Sequence, residues 1–156
     1  MMGGNTMQTT MTTNVGTIFY ISPETFQSST KISNKTDVYS FAIVMYEVLF
    51  LENPYLNAHS KKIHHFRPAV YGEDVAFTVP TRVMRGERPV VPFEGRGEFE
   101  EWMGCYGGDG GGLEREVTWR YVELMLRCWE QEPERRPEFS QISMELQELM
   151  NCLCVE

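Results

Sequence analysis

The order of apolar and polar positions divides the chain into stretches with and without a helical period. Between Asp37 and Leu49, Val38, Phe41, Ala42, Met45 and Leu49 share one helical face, and Ile43, Val44 and Val48 occupy the others. A helix apolar nearly all round is a buried helix. Thr36 or Asp37 is expected to supply its N-cap oxygen, and Asn53-Pro54 marks the break after it. A second repeat, Val122, Met125, Leu126 and Trp129, follows the i, i+3, i+4, i+7 spacing, and a third runs through Phe139, Ile142, Leu146 and Leu149. Pro133 and Pro137 bracket the turn between these two stripes. Two amphipathic helices joined this way are expected to pack as an antiparallel or angled pair.

The remaining stretches lack such a period. Residues 1–14 are rich in Met, Gly and Thr and read as a flexible segment. Residues 56–79 are polar and contain His and Lys, and a short helix is expected after them, with Pro80 at its first position and Gly86 past its end. Residues 94–116 carry two bases against seven acids, a local charge of −5, with five glycines between Gly107 and Gly112. They read as a loop-like insertion, either solvated or an interaction segment. The glycines do not form a nucleotide loop: Leu113 stands where G-x-G-x-x-G needs its third glycine, and no predicted strand precedes them.

Composition narrows the class. A chain of 156 residues with 42% apolar content fits one domain with a real core, which excludes disorder along its whole length. The net charge of −8 argues against a nucleic-acid or anionic-membrane surface. The longest apolar stretch, Phe41 to Leu51, is interrupted by Glu47 and is too short to span a bilayer. Residues 1–23 contain no charged side chain, so the basic start of a secretory signal is missing. Cys105, Cys128, Cys152 and Cys154 show no framework or zinc-ribbon spacing and read as reduced thiols of a cytosolic chain. His59, His64 and His65 have no Cys or carboxylate at a ligand spacing, so no metal site is expected.

Four short motifs, in a fixed order, go further than periodicity. They are Gly16-Thr17-Ile18-Phe19-Tyr20-Ile21-Ser22-Pro23-Glu24; Asp37-Val38-Tyr39-Ser40-Phe41-Ala42; Gly86-Glu87-Arg88-Pro89-Val90-Val91-Pro92; and Cys128-Trp129 followed by Pro133 and Arg135-Arg136-Pro137-x-Phe139. The first resembles the end of a protein-kinase activation segment, G-T-x-x-Y-x-A-P-E. The second resembles the start of the long central helix of the kinase C-terminal lobe. The third is similar to the segment after the next small helix, and the fourth to the last two helices of tyrosine-kinase-like kinases. Together they cover roughly Val15 to Leu149.

The resemblance implies a mainly α fold, a partial kinase C-terminal lobe. It would comprise the end of the activation segment, a central buried helix and about three further helices, with residues 15–150 as the domain and 151–156 as a tail. It implies that Glu24 and Arg136 form a buried ion pair and that Asp37 meets the backbone of the catalytic loop. It also implies that Gly16, Thr17 and Tyr20 shape the loop that takes the substrate residue after the phosphorylated one, with Pro23 as part of its scaffold. Thr17 in this pattern points to Ser/Thr rather than Tyr substrates. Thr9, Thr10, Thr12 and Thr13 fall where activation-loop phosphosites lie in the family.

Kinase chemistry also needs a glycine-rich loop, a strand Lys, a catalytic-loop Asp and an Asp holding Mg²⁺. The three Asp residues, Asp37, Asp74 and Asp109, are not preceded by His-Arg and not followed by Phe-Gly. The expectation is therefore a chain without catalytic residues or cofactor of its own, whose complete parent uses Mg and ATP. The parent's phosphotransferase signalling would be cytoplasmic, or the cytoplasmic part of a membrane-anchored kinase. Its partners would be a protein substrate, a regulatory protein, or the other half of the kinase. The alternative is a non-catalytic binding module that docks kinases or their substrates. On either reading one flank of the central helix is expected to face water as an apolar patch, leaving a marginal domain.

Overall fold

The computed structural model describes residues 17–27, 33–55, 75–106 and 111–154. Within them lie five α-helices: α1 (Asn34–Phe50), α2 (Val75–Met84), α3 (Arg96–Tyr106), α4 (Gly112–Cys128) and α5 (Phe139–Leu153). Three short 3-10 turns, Thr17–Tyr20, Pro23–Phe26 and Pro133–Arg135, accompany them, and no strand occurs among the described residues. The fold is mainly α, as the motifs imply.

α1 is the centre. Val38, Tyr39, Ala42, Ile43, Met45 and Tyr46 are buried on it, and α4 packs against it. The helix begins earlier than its apolar period. Ser33, not Thr36 or Asp37, is the N-cap, and its hydroxyl accepts from the Lys35 amide at 3.3 Å. Asp37 sits in the first turn, where its charge favours the positive end of the helix dipole. At the other end Leu51 closes α1 in the left-handed region, φ 53°, just before Asn53-Pro54.

α4 and α5 form the expected pair. Arg127 meets Glu145, and Arg120 meets Glu148 at 3.2 Å; the first partner falls as the second rises, so the helices run antiparallel. Ile142 and Leu149 are buried as the stripe requires, whereas Leu126 and Phe139 are exposed. The buried face of α4 is Val122, Leu124, Met125 and Cys128. Phe139 instead lies edge-on to Phe41 of α1, with ring centroids 6.0 Å apart.

Three expectations are corrected. The described residues of the stretch 94–116 are largely helical: they hold α3 and the first turn of α4. Its charges hid its apolar half, because Phe99 and Met103 are buried and Phe99 and Trp102 stack with Phe93, Phe50 and Trp119. Arg96 joins Glu100 and Glu116, both at 2.9 Å, which ties α3 to α4 and uses up part of the acidic excess. Secondly, Pro80 lies inside α2 rather than at its start, since the helix begins at Val75. Its missing N–H removes one hydrogen bond of the ladder, an interior cost that the buried Val79 and Val83 help to offset. Gly86 does follow that helix, at φ +90°. Thirdly, α5 continues through Leu153, into the segment expected to be a tail. Residues 56–74 of the other expected insertion lie outside the described residues.

Candidate functional site

The first 3-10 turn is fastened to α1 at two points. Ser40 Oγ donates to the Tyr20 carbonyl at 2.7 Å, and Tyr20 Oη donates to Glu47 Oε2 at 2.7 Å. Ser40 and Glu47 lie two helical turns apart on α1, so the loop is held along the helix rather than pinned at one end. Burial, then the hydrogen bond and charge of Glu47, push the Tyr20 hydroxyl up to about 12, which keeps it a donor across physiological pH. Thr17 opens this turn. Gly16, Thr9, Thr10, Thr12 and Thr13 lie outside the described residues.

Pro23 starts the second turn, and Glu24 follows it into the interior. Glu24 and Arg136 meet in a two-pronged pair, Nη1 to Oε1 at 2.7 Å and Nη2 to Oε2 at 2.8 Å. The Arg136 side chain is 0% exposed and that of Glu24 7%. The other guanidinium hydrogens are taken by the carbonyls of Glu130, Lys35 and Gln131. Every donor of the fork that faces the core therefore has an acceptor, as a buried cation requires. Burial alone would push the Glu24 carboxyl up; the hydrogen bonds and charge of Arg136 outweigh it and hold the group below its usual range. A polar cleft of about 230 Å³ opens beside the pair, between Gln27 and Glu132.

Motif reading marks Glu24 and Arg136 but misses what joins them to the rest of the fold. The buried ring of Tyr39 lies between two guanidinium groups, Arg136 at 5.2 Å and Arg88 at 5.0 Å from its centroid. Arg88 donates to the carbonyls of Trp129 (2.8 Å) and Glu87 (2.8 Å) and to Gln131 Oε1 (2.7 Å). The Tyr39 hydroxyl pairs with that of Tyr55 at 3.2 Å, and Tyr55, at φ +66°, touches the Phe19 ring of the first turn. One aromatic ring thus links the ion pair, the α2–α3 connection and the loop. The available signal was the Arg-Pro dipeptide, which occurs in the sequence at Arg67-Pro68, Arg88-Pro89 and Arg136-Pro137, the last two supplying these arginines. Proline holds the preceding residue extended, which frees each Arg to reach inward.

Asp37 is exposed and contacts none of these groups. Among the described residues no three His, Cys, Asp or Glu side chains gather in one place. Nor is any helix of the described residues long and apolar enough to cross a membrane. The arrangement positions the Thr17–Tyr20 turn along α1.

The fold and these contacts define a helical kinase-lobe scaffold, and the family follows from comparison. The model of the protein kinase domain matches residues 3–146, and the chain belongs to that family. It is 29% identical over 90% of its length to RGS domain-containing serine/threonine-protein kinase A of Dictyostelium discoideum. Mouse ankyrin repeat and protein kinase domain-containing protein 1 is 31% identical over 87% of the chain, and mouse receptor-interacting serine/threonine-protein kinase 4 is 30% identical over 86%. The chain spans only 9%, 14% and 13% of these three relatives.

Proposed function

We propose that the chain provides the substrate-docking loop and scaffold of a kinase C-terminal lobe of the tyrosine-kinase-like group. Its complete form transfers the γ-phosphate of Mg-ATP to Ser or Thr of protein substrates in cytoplasmic signalling. The observation that supports this reading most is the double anchoring of the Tyr20 turn on α1, with Glu24 and Arg136 closing the loop from below. Residues Gly16, Thr17 and Tyr20 shape the pocket for the substrate residue after the phosphorylated one; Pro23, Glu24 and Arg136 hold that surface in shape, and Asp37 accepts from the catalytic-loop backbone of the complete form. The 156 residues alone transfer no phosphate, because they lack the catalytic Asp and the Mg²⁺-holding Asp.

The test compares the recombinant 156-residue chain with the native polypeptide captured through this segment. Labelled phosphate from Mg-ATP is expected on Ser or Thr of a protein substrate only with the native polypeptide, together with peptides from upstream kinase sequence. Transfer by the recombinant chain itself would overturn its inactivity, and labelling confined to Tyr would overturn the Ser/Thr assignment.

The exposed apolar side of α1 favours a second reading. Val44 is 42% exposed, Val48 65% and Leu51 87%. On that reading the lobe is a non-catalytic module that docks a kinase or its substrate through this stripe. A native product no larger than the chain, held in a stable complex with one protein, would support it over the first.

A further inference from the structure

We infer that α5 is an exchangeable helix, whose seat on α4 also takes the α5 of a second copy of this chain. Along its 15 residues α5 buries only Ile142 and Leu149, whereas α4 buries five side chains and α1 six. Its ties to the rest of the fold are largely charged. Residues 138–153 carry three acids and no base. Each acid meets a base of another helix: Glu138 with Lys35 of α1, and Glu145 and Glu148 with Arg127 and Arg120 of α4. The three carboxylates are 34–60% exposed, so dissolved salt screens these pairs. The edge-on contact of Phe139 with Phe41 adds an apolar tie at the start of the helix.

The joint before α5 suits release. Arg136 stays in the core, held by Glu24 and by the carbonyls of Glu130, Lys35 and Gln131. Pro137 has no N–H to give, and the Glu138 amide donates to Gln141 Oε1 at 2.8 Å, inside α5 itself. The capping box thus travels with the helix, and α5 remains capped when it leaves its seat. The charges select the occupant. An acidic helix fits the seat, and a second copy supplies one that matches its bases and its apolar floor by construction. Closed monomer and exchanged pair contain the same contacts, so chain concentration sets their balance, while salt acts chiefly on the rate of opening. Exchange needs neither nucleotide nor substrate. Because Arg136 adjoins the joint, each copy's Glu24–Arg136 pair lies beside the crossover.

The test uses two variants of the full chain in a Val44→Ser/Val48→Ser background, which keeps the exposed side of α1 out of the readout. The first carries Arg120→Glu and Arg127→Glu, the second Glu145→Arg and Glu148→Arg. Within either chain α5 meets like charge on α4; across the two chains every pair is restored. Sedimentation velocity should show each variant alone as a monomer. The mixture should form a one-to-one dimer, at least about tenfold tighter than self-association of either variant. The chain with all four reversals restores the pairs internally and should stay monomeric at the same concentration. A mixture that stays monomeric overturns the proposal, and a dimer of the fourfold variant places the association elsewhere and overturns it too. If the variants do not fold, hydrogen exchange of the native chain decides. Amides of residues 142–153 should exchange together, about tenfold faster than those of α1. They should exchange faster still in about 1 M salt, where the Debye length is about 3 Å. Amides of α5 as protected as those of α1, or indifferent to salt, overturn the proposal.

Discussion

Glu24 and Arg136 are separated by 112 residues, yet they share one buried, two-pronged contact. Such a pair adds little net stability, because each ion loses its hydration on burial. Removing one partner is different, since it leaves the other charged in the core. Glu24→Ala should therefore destabilise the chain by about 3–5 kcal/mol, read from the midpoint of urea unfolding. The swapped double variant Glu24→Arg/Arg136→Glu should recover part of that loss; damage that simply adds would show that the two do not interact. The pair also sets an acid limit. Because the folded Glu24 pKa lies below its ordinary 4.5, the contribution is complete above that value and fades as pH falls through the depressed one. Acid unfolding monitored by circular dichroism should begin below about pH 4.5 and should be less steep in Glu24→Gln. Both residues could be found in the sequence because each sits in a short ordered motif. Tyr39 could not, for nothing in its own neighbourhood announces that two distant Arg-Pro dipeptides converge on its ring.

Helix α3 shows where periodicity loses its power. Its sequence alternates acids with Phe99, Trp102 and Met103, and Gly97 and Gly104 lower its intrinsic helix propensity. What stabilises it is tertiary: the buried Phe99 stacks on Phe93 at 5.2 Å and on Trp119 at 5.1 Å. Phe99→Ala should thus cost about 3–5 kcal/mol in chemical denaturation, whereas a solvated insertion would tolerate it. α1 makes the complementary case. Its apolar run was easy to read, but its true start depended on Ser33, four residues before the first apolar period, and its end on Leu51 at a positive φ. A non-glycine residue there costs roughly 1–2 kcal/mol. Since Leu51 is 87% exposed, Leu51→Gly should stabilise the isolated chain by about 1 kcal/mol with almost no loss of packing. A drop in melting temperature for that variant would mean that Leu51 is covered in solution.

At the scale of the whole molecule, the central helix is both core and surface. One side of α1 packs on α4 and carries Ile43, Tyr46 and Met45 into the interior, while Val44, Val48 and Leu51 point outward one helical turn after another. The sequence anticipated such a patch, because the kinase family packs this all-round apolar helix against a catalytic loop and a preceding helix whose motifs the 156 residues do not contain. Which residues form it was not readable, since that depends on the side from which α4 approaches. Water contact at Val44 and Val48 contributes nothing to folding but favours association by roughly 25 cal/mol for each Å² later covered. Val44→Ser and Val48→Ser together should therefore leave the urea midpoint of the isolated chain nearly unchanged. Sedimentation velocity should show the opposite contrast, with self-association of the native chain strongly reduced in the double variant. The same variant should weaken capture of the native kinase partner or of the upstream half of the domain. If the double substitution instead lowers the urea midpoint as much as a core substitution does, the stripe is buried within the monomer and the docking role of α1 fails.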